Sequence, residues 1–437
     1  MCFLPALGNR NGSNVNNVQN NGNYWSATPN DSDNANEFNF NSNEANTNNN
    51  WNRNNGQAVR LVQDLSPFPM CDPLLSDVFR AYYDARRHKR KTHSQLTFEL
   101  DLEHNIVALC EELRYRTYAP SPAICFIIND PKKREVFASP FRDRVVHHLY
   151  YNYVAAHCDK RFVYDSYSCR MGKGTLFGIE RLEHHIRSVS CNYTREAYVV
   201  KLDLQGYFMS IPRELLREKV QAMVRKVLPE TQLTADIQSL VVWLTDVFTL
   251  HNPLADCRIR GTAHDWDGLP QSKSLWHSPD GVGLPIGDLT SQLYSNIFLN
   301  ELDWFVVRQL GCRHYGRYVD DFYLLSPSRG ELKEWLARLQ DFAGTLGMRI
   351  HSRKIILQPV SMPGMQHCVP SLEFLGAVVY PHYRHCTHRT LAKYHLQAHD
   401  WAMRLQRDMT AEEYQARFQS YMSYAGYLGH FRTRMVR

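Results

Sequence analysis

The stretch RYVDDFYLLS, residues 317–326, constrains this 437-residue chain more than any other. Two adjacent aspartates lie between β-forming runs, Tyr-Val before them and Phe-Tyr-Leu-Leu after. Folded as a hairpin, the segment sets both carboxylates at its tip, where their repulsion is tolerable only if cations neutralise it. An isolated Asp-Asp pair is usually an ordinary polar turn, but a second acidic segment argues otherwise. In VVKLDLQGYF, Asp203 lies near the end of the Val-rich run 197–204, which predicts a strand buried on both faces. A carboxylate there is costly unless a metal or a cationic partner meets it. Asp203, Asp320 and Asp321 holding two Mg²⁺ ions, with Mn²⁺ able to substitute, form the arrangement an in-line phosphoryl displacement needs. One ion activates a 3′-hydroxyl and the other stabilises the departing pyrophosphate.

The rest of the chain can supply a scaffold for such a site. Hydrophobic residues at 43% and aromatics at 12% suffice for a packed interior. A net charge of +6 is mild and points to nucleic acid only where it clusters. The eleven cysteines stand singly, and the first residues lack the pattern of a signal peptide. The longest apolar stretch, 240–250, contains an Asp and is far too short to span a membrane. A reduced, cytoplasmic protein without a membrane partner is expected. Apolar spacing predicts helices over 74–91, ending in the basic run ARRHKRK, and over 98–118. An extended segment, AICFIIND, a Lys/Arg turn and a helix through FRDRVVHHLYYNYVAAH follow. Residues 251–283, rich in Gly, Pro and Asp, predict a long loop or insertion. A helix is expected over 287–310, and helical, basic text after Tyr380.

LDLQGYF, IGDLTSQ, YVDD and EFLGAVV stand in the order and approximate spacing of reverse-transcriptase palm motifs. The resemblance covers roughly residues 74–437 and implies an α+β right-hand polymerase with an antiparallel palm sheet. On it, 63–195 form the fingers, 196–383 the palm with insertion 251–283, and 384–437 a helical thumb. Asp203, Asp320 and Asp321 map onto the catalytic metal ligands, and the Leu204 carbonyl would complete one metal shell. Phe208 matches the aromatic beneath the incoming sugar, where a ring excludes a 2′-hydroxyl and selects dNTPs. Lys132, Lys133 and Arg134 lie in the fingers turn, with charges that suit a triphosphate. DSYSCRMGKGT (165–175) matches a bacterial reverse-transcriptase pattern in which Gly on both sides of Lys173 lets backbone approach template phosphates. HYRHCTH (382–388) reads as a basic hairpin contacting the primer strand rather than a zinc site, which needs four convergent ligands.

Most reverse transcriptases carry Gln-Gly and Ser-Pro in the second of these segments. Here it begins Ile286-Gly287 and ends Ser291-Gln292. That variant resembles the reverse transcriptases of diversity-generating retroelements, which copy a template-repeat RNA into cDNA while misincorporating opposite adenines. Ile286 fits this activity, because Ile cannot make the polar check on the nascent pair that Gln can. The resemblance implies template RNA, a cDNA or primer strand, dNTPs and a small basic helical accessory variability protein as partners. It also accounts for the opening segment, in which 21 of the first 60 residues are Asn. Asn codons carry two adenines whose randomisation never yields a stop codon, so residues 1–62 read as a translated template repeat. They are expected to be disordered and dispensable, with Met70 as a natural start. Retron, group II intron-like and phage-defence reverse transcriptases are rivals that lack this variant. A catalytically silent nucleic-acid scaffold disagrees with the presence of all three Asp.

Overall fold

The computed structural model describes residues 72–87, 92–129, 132–364, 369–404 and 410–431, together with strand segments between residues 9 and 57. The chain divides into two compact units, residues 1–71 and 72–437. In the first, Gly22–Pro29, Asn34–Phe40 and Ala45–Asn52 pair antiparallel in that order. Asn14–Asn16, Asn9–Asn11 and Gly56–Gln57 form a second small sheet. The expectation of disorder over 1–62 concerns this unit, in which these strand segments are the described part. The remaining residues of 1–62, and Met70, lie outside the described residues.

The second unit is built on a four-stranded sheet in the order His314–Tyr318, Asp321–Ser326, Ala197–Asp203, Ile356–Ser361, antiparallel throughout. The Ala197–Asp203 strand is central, with Val199, Val200 and Leu202 fully buried. Side chains alternate between faces. Val200, Leu202, Phe322 and Leu324 join the larger core, with the helices Pro73–Arg86, Phe141–Asp159, Arg213–Val227, Ala235–Leu250 and Leu289–Trp304. Val199, Tyr323 and Leu325 face the helix Thr175–Val189 and a second sheet, Leu372–Phe374, Ala377–Tyr380 and Tyr383–Cys386. Covered on both sides, the central strand has the apolar run its sequence shows.

Some elements differ from the sequence reading. The helix expected over 98–118 is two, His93–Leu100 and Leu102–Arg114, broken at Asp101, whose φ of −132° leaves the helical region. Thr92 caps the first by accepting from the Gln95 N–H. The helix expected to 91 is described to Arg86, and residues 88–91 lie outside the described residues. After Tyr380 the chain first returns as the strand Tyr383–Cys386 before the helices His388–Arg404 and Ala411–Leu428. The 251–283 insertion holds one two-residue strand, Arg258–Ile259, and short turns. No helix among the described residues is long and apolar enough to cross a membrane.

One ion pair lies wholly inside the larger core. Arg317, on the first strand of the sheet, and Asp303, on the helix Leu289–Trp304, are 1% and 0% exposed and meet through two bonds of 2.7 Å. Tyr315 donates to Asp303 Oδ1 at 2.5 Å. Burial opposes the guanidinium charge, yet Asp303 holds its pKa above the ordinary value. Breaking such a pair leaves a bare buried charge. We expect Arg317→Met to lower the unfolding free energy by about 3–5 kcal/mol. Adding Asp303→Leu should restore part of it, and urea unfolding of both variants measures the difference. A single variant as stable as the parent would show that Asp303 is solvated.

Candidate active site

The hairpin that follows Arg317 closes on two residues, since Tyr318 pairs with Asp321 across Val319 and Asp320. Val319 has φ +57°, an uncommon conformation for a β-branched residue that costs about 1–3 kcal/mol. Arg317 Nη1 holds it by donating to the Val319 carbonyl at 3.0 Å. The Leu204 N–H donates to the Asp320 carbonyl at 3.1 Å, so the turn is fixed from two sides. Asp321 lies directly opposite Asp203 on the adjacent strand. The structure thus brings Asp203, Leu204, Asp320 and Asp321 together.

Their electrostatics show the cost of that grouping. Burial, then the Asp203 charge, raises the Asp320 pKa above the usual carboxylate range. Burial pushes Asp321 up to about 6, although Lys201 pulls the other way. Lys201 Nζ is 3.4 Å from Asp321 Oδ2 and donates to the Glu373 carbonyl at 2.9 Å. Lys354 Nζ donates to Asp203 Oδ1 at 2.8 Å. Asp321 Oδ1 is buried without a hydrogen-bond partner. Among the described residues no three acidic, His or Cys side chains are gathered as ligands of one ion, two of these carboxylates turning to lysines instead. The donor set nevertheless fits a hard divalent cation: three crowded carboxylates, one with an unsatisfied oxygen, whose repulsion a cation relieves.

The other expected residues surround this group to different degrees. Arg134 opens the strand Arg134–Ala138, is exposed, and its charge acts on Asp320. Lys132 is exposed, whereas Lys133 is committed to the insertion, donating to the Asp267 carbonyl at 2.5 Å. Phe208 lies in the short helix Tyr207–Ser210, edge-on to Tyr207, and its carbonyl accepts from the Leu284 N–H at 2.7 Å. The Ile286 carbonyl accepts from the Phe137 N–H at 2.8 Å, and its side chain packs on the cluster of Cys125, Phe137, Met209 and Leu275. At Gly287 an added Cβ would stand 1.9 Å from the Phe137 carbonyl oxygen, so only Gly permits this approach. Gln292 stands exposed in the first turns of the helix Leu289–Trp304. Lys173 rests over the Tyr164 ring at 4.2 Å, and burial lowers its pKa to about 8.

Sequence reasoning missed Lys201, Lys354, the Arg317–Asp303 pair and Glu135. Lys201 was visible: two residues before Asp203, it shares that residue's strand face. Lys354 and Glu135 gave no local signal, because their contacts span more than a hundred residues.

Paired strand ends that converge acidic side chains beside cations define a site suited to phosphoryl transfer on a hydroxyl. Residues 130–378 match the reverse transcriptase (RNA-dependent DNA polymerase) family, and this chain belongs to it. Similar solved structures include the Candida albicans telomerase bound to the TWJ fragment of telomeric RNA (TM-score 0.41, 13% identity, 68% of this chain and 50% of that one). Another is the apo telomerase of Candida tropicalis (TM-score 0.39, 9% identity, 59% of this chain and 46% of that one). The chain spans about half the length of these telomerases. No curated protein matches it in sequence. The strap that Ile286 and Gly287 form over Phe137 gives a direct test. Gly287→Ala should lower nucleotide incorporation at least roughly tenfold, about 1.4 kcal/mol in barrier, measured as kcat/KM on a primed RNA template. Parental kinetics would show that the strap shifts freely.

Proposed function

We propose that the chain is the RNA-directed DNA polymerase of a diversity-generating retroelement, copying template-repeat RNA into cDNA with misincorporation at adenines. The resulting cDNA would diversify a target gene by mutagenic retrohoming. The observation that carries the polymerase reading is Asp203 facing Asp321 at the end of the central strand, with Asp320 in the adjoining strained turn. In this reading 63–195 are fingers, 196–383 palm and 384–437 thumb. Asp203, Asp320, Asp321 and the Leu204 carbonyl would hold two Mg²⁺ ions, or Mn²⁺, which supply charge neutralisation at the attacking and leaving oxygens.

The chain's own residues divide the remaining work. Arg134, exposed and felt by Asp320, suits a forked contact with the triphosphate, and Lys132 adds charge beside it. Phe208 lies five residues beyond Asp203 and favours a 2′-deoxy sugar by occupying space. Ile286 supports the retroelement reading. Its backbone is fixed to Phe137, and its apolar side chain offers no hydrogen bond to a template base or to the incoming nucleotide. Gly287 gives that fixed approach, and Gln292 lies exposed beyond it. A small basic helical accessory protein is the proposed partner besides template RNA, cDNA and dNTPs. The proposed setting is the cytoplasm.

Replacing Asp320 or Asp321 by Asn should reduce incorporation at least about a thousandfold, roughly 4 kcal/mol, and chelation with EDTA should abolish it reversibly. Synthesis retained by an Asp320/Asp321 double variant would end the catalytic assignment. Ile286→Gln should lower misincorporation opposite adenine more than opposite the other bases, read by sequencing cDNA from a mixed template. An unchanged adenine error spectrum would reduce Ile286 to a packing residue.

A further inference from the structure

The insertion adds a strand to the hairpin that carries Arg134. Arg258–Ile259 pairs parallel with Ile124–Ile128, which pairs antiparallel with Arg134–Ala138. The Arg258 and Arg260 N–H groups donate to the Ala123 and Cys125 carbonyls, each at 2.8 Å. Glu135 anchors the addition from beneath. Fully buried, it accepts hydrogen bonds from Trp266 Nε1, Ser274 Oγ and the Leu275 N–H at 2.6–2.9 Å. The hairpin and the insertion are therefore one fixed element.

Register assigns the faces of this sheet. Cys125 and Phe137 pair and are buried with Leu275, so one face belongs to the insertion's own small core. The opposite face presents Phe126, Ile128, Arg134, Arg258 and Arg260, none of them buried. Arg260 Cζ lies 4.0 Å over the Phe126 ring. Among the described residues no carboxylate pairs with Arg134, Arg258 or Arg260. The same hairpin is tied to the segment entering the helix Leu289–Trp304, because the Phe137 N–H donates to the Ile286 carbonyl at 2.8 Å.

We propose that this face is a track for the single-stranded RNA template ahead of the nascent pair, with Arg258 and Arg260 on its phosphates. Two arginines without a carboxylate partner, set beside an aromatic and an aliphatic side chain, suit a strand with exposed bases. A duplex hides its base faces and would leave the exposed Ile128 without a partner. The inference rests on reading Asp203, Asp320 and Asp321 as the centre of synthesis.

The test uses the full chain, an Arg258→Gln/Arg260→Gln variant and fluorescence anisotropy on primer–template hybrids. Hybrids with a template overhang of roughly ten nucleotides should bind the variant about tenfold more weakly, with the salt slope shallower by about 1.4. Hybrids with an overhang of roughly one nucleotide should bind both proteins alike. Equal binding of the long-overhang hybrid, or equal losses on both hybrids, overturns the proposal. The second result would place the arginines on the duplex. A 4-thiouridine in the parent's template overhang should crosslink to peptides containing 124–128 or 258–260, and crosslinking only elsewhere is equally fatal. The Asp320→Asn variant should keep the overhang-dependent affinity while losing synthesis. Synthesis retained there would remove the catalytic reading and leave the binding result standing.

Discussion

The buried contact between Arg317 and Asp303 is the constraint on which the Asp320–Asp321 hairpin depends. A charge pair excluded from water is a poor source of net stability, since desolvation offsets most of its attraction. Its value here is directional. The planar guanidinium spends two donors on Asp303 and reaches Val319 O and Ser166 Oγ with the others. Because Asp303 belongs to the helix Leu289–Trp304, the pair locks that helix to the hairpin two residues before the strained turn. The helix is also the one that Gly287 and Ile286 lead into. One ion pair thereby ties the carboxylate turn to the strap beside Phe137.

The sheet determines what the carboxylates face. Asp203, Lys201, Asp321 and Tyr323 share one side, while Leu202, Phe322 and Arg317 share the other. The first side descends from the carboxylate end into a buried polar layer, where Tyr323 meets the Tyr167 hydroxyl and His185 Nδ1, each at 3.0 Å. Asp165 receives Arg181 through two bonds there. Polar groups beneath the strands are thus satisfied, which buried polar groups require. Asp321 Oδ1, by contrast, is buried without a partner, and it stands at the site itself.

How much of this was legible follows from how far each contact reaches along the chain. The acidic hairpin and the Asp203 strand could be read because β-periodicity and turn chemistry are local. The break at Asp101 was not, because Phe98, Leu102, Ile106 and Leu109 keep a helical apolar spacing straight through it. Glu135 looked like one charge among several in PKKREVFAS. Its burial depends on Trp266, Ser274 and Leu275 from the insertion, and no pattern around residue 135 announces them.

The distribution of cations completes the physical logic of the site. Where the charge is part of the frame, the residue is arginine: Arg317 is fully buried and held by a fixed fork. Where the charge lies against one of the carboxylates at the strand ends, it is lysine. Lys354 is about half exposed, with a 48% accessible side chain, and contacts Asp203 through one ammonium. Lys201 divides its ammonium between Asp321 and the Glu373 carbonyl on the neighbouring sheet. A flexible stem with a compact charge can yield a carboxylate to a stronger cation without rearranging the backbone, which a bidentate guanidinium cannot do. Asp320 has no such partner among the described ion pairs and sits in the turn whose backbone Arg317 fixes. Two carboxylates paired with lysines and a third held by its backbone keep the strand ends folded at the cost of residual repulsion, and in the proposed reading that repulsion is what a divalent ion would relieve.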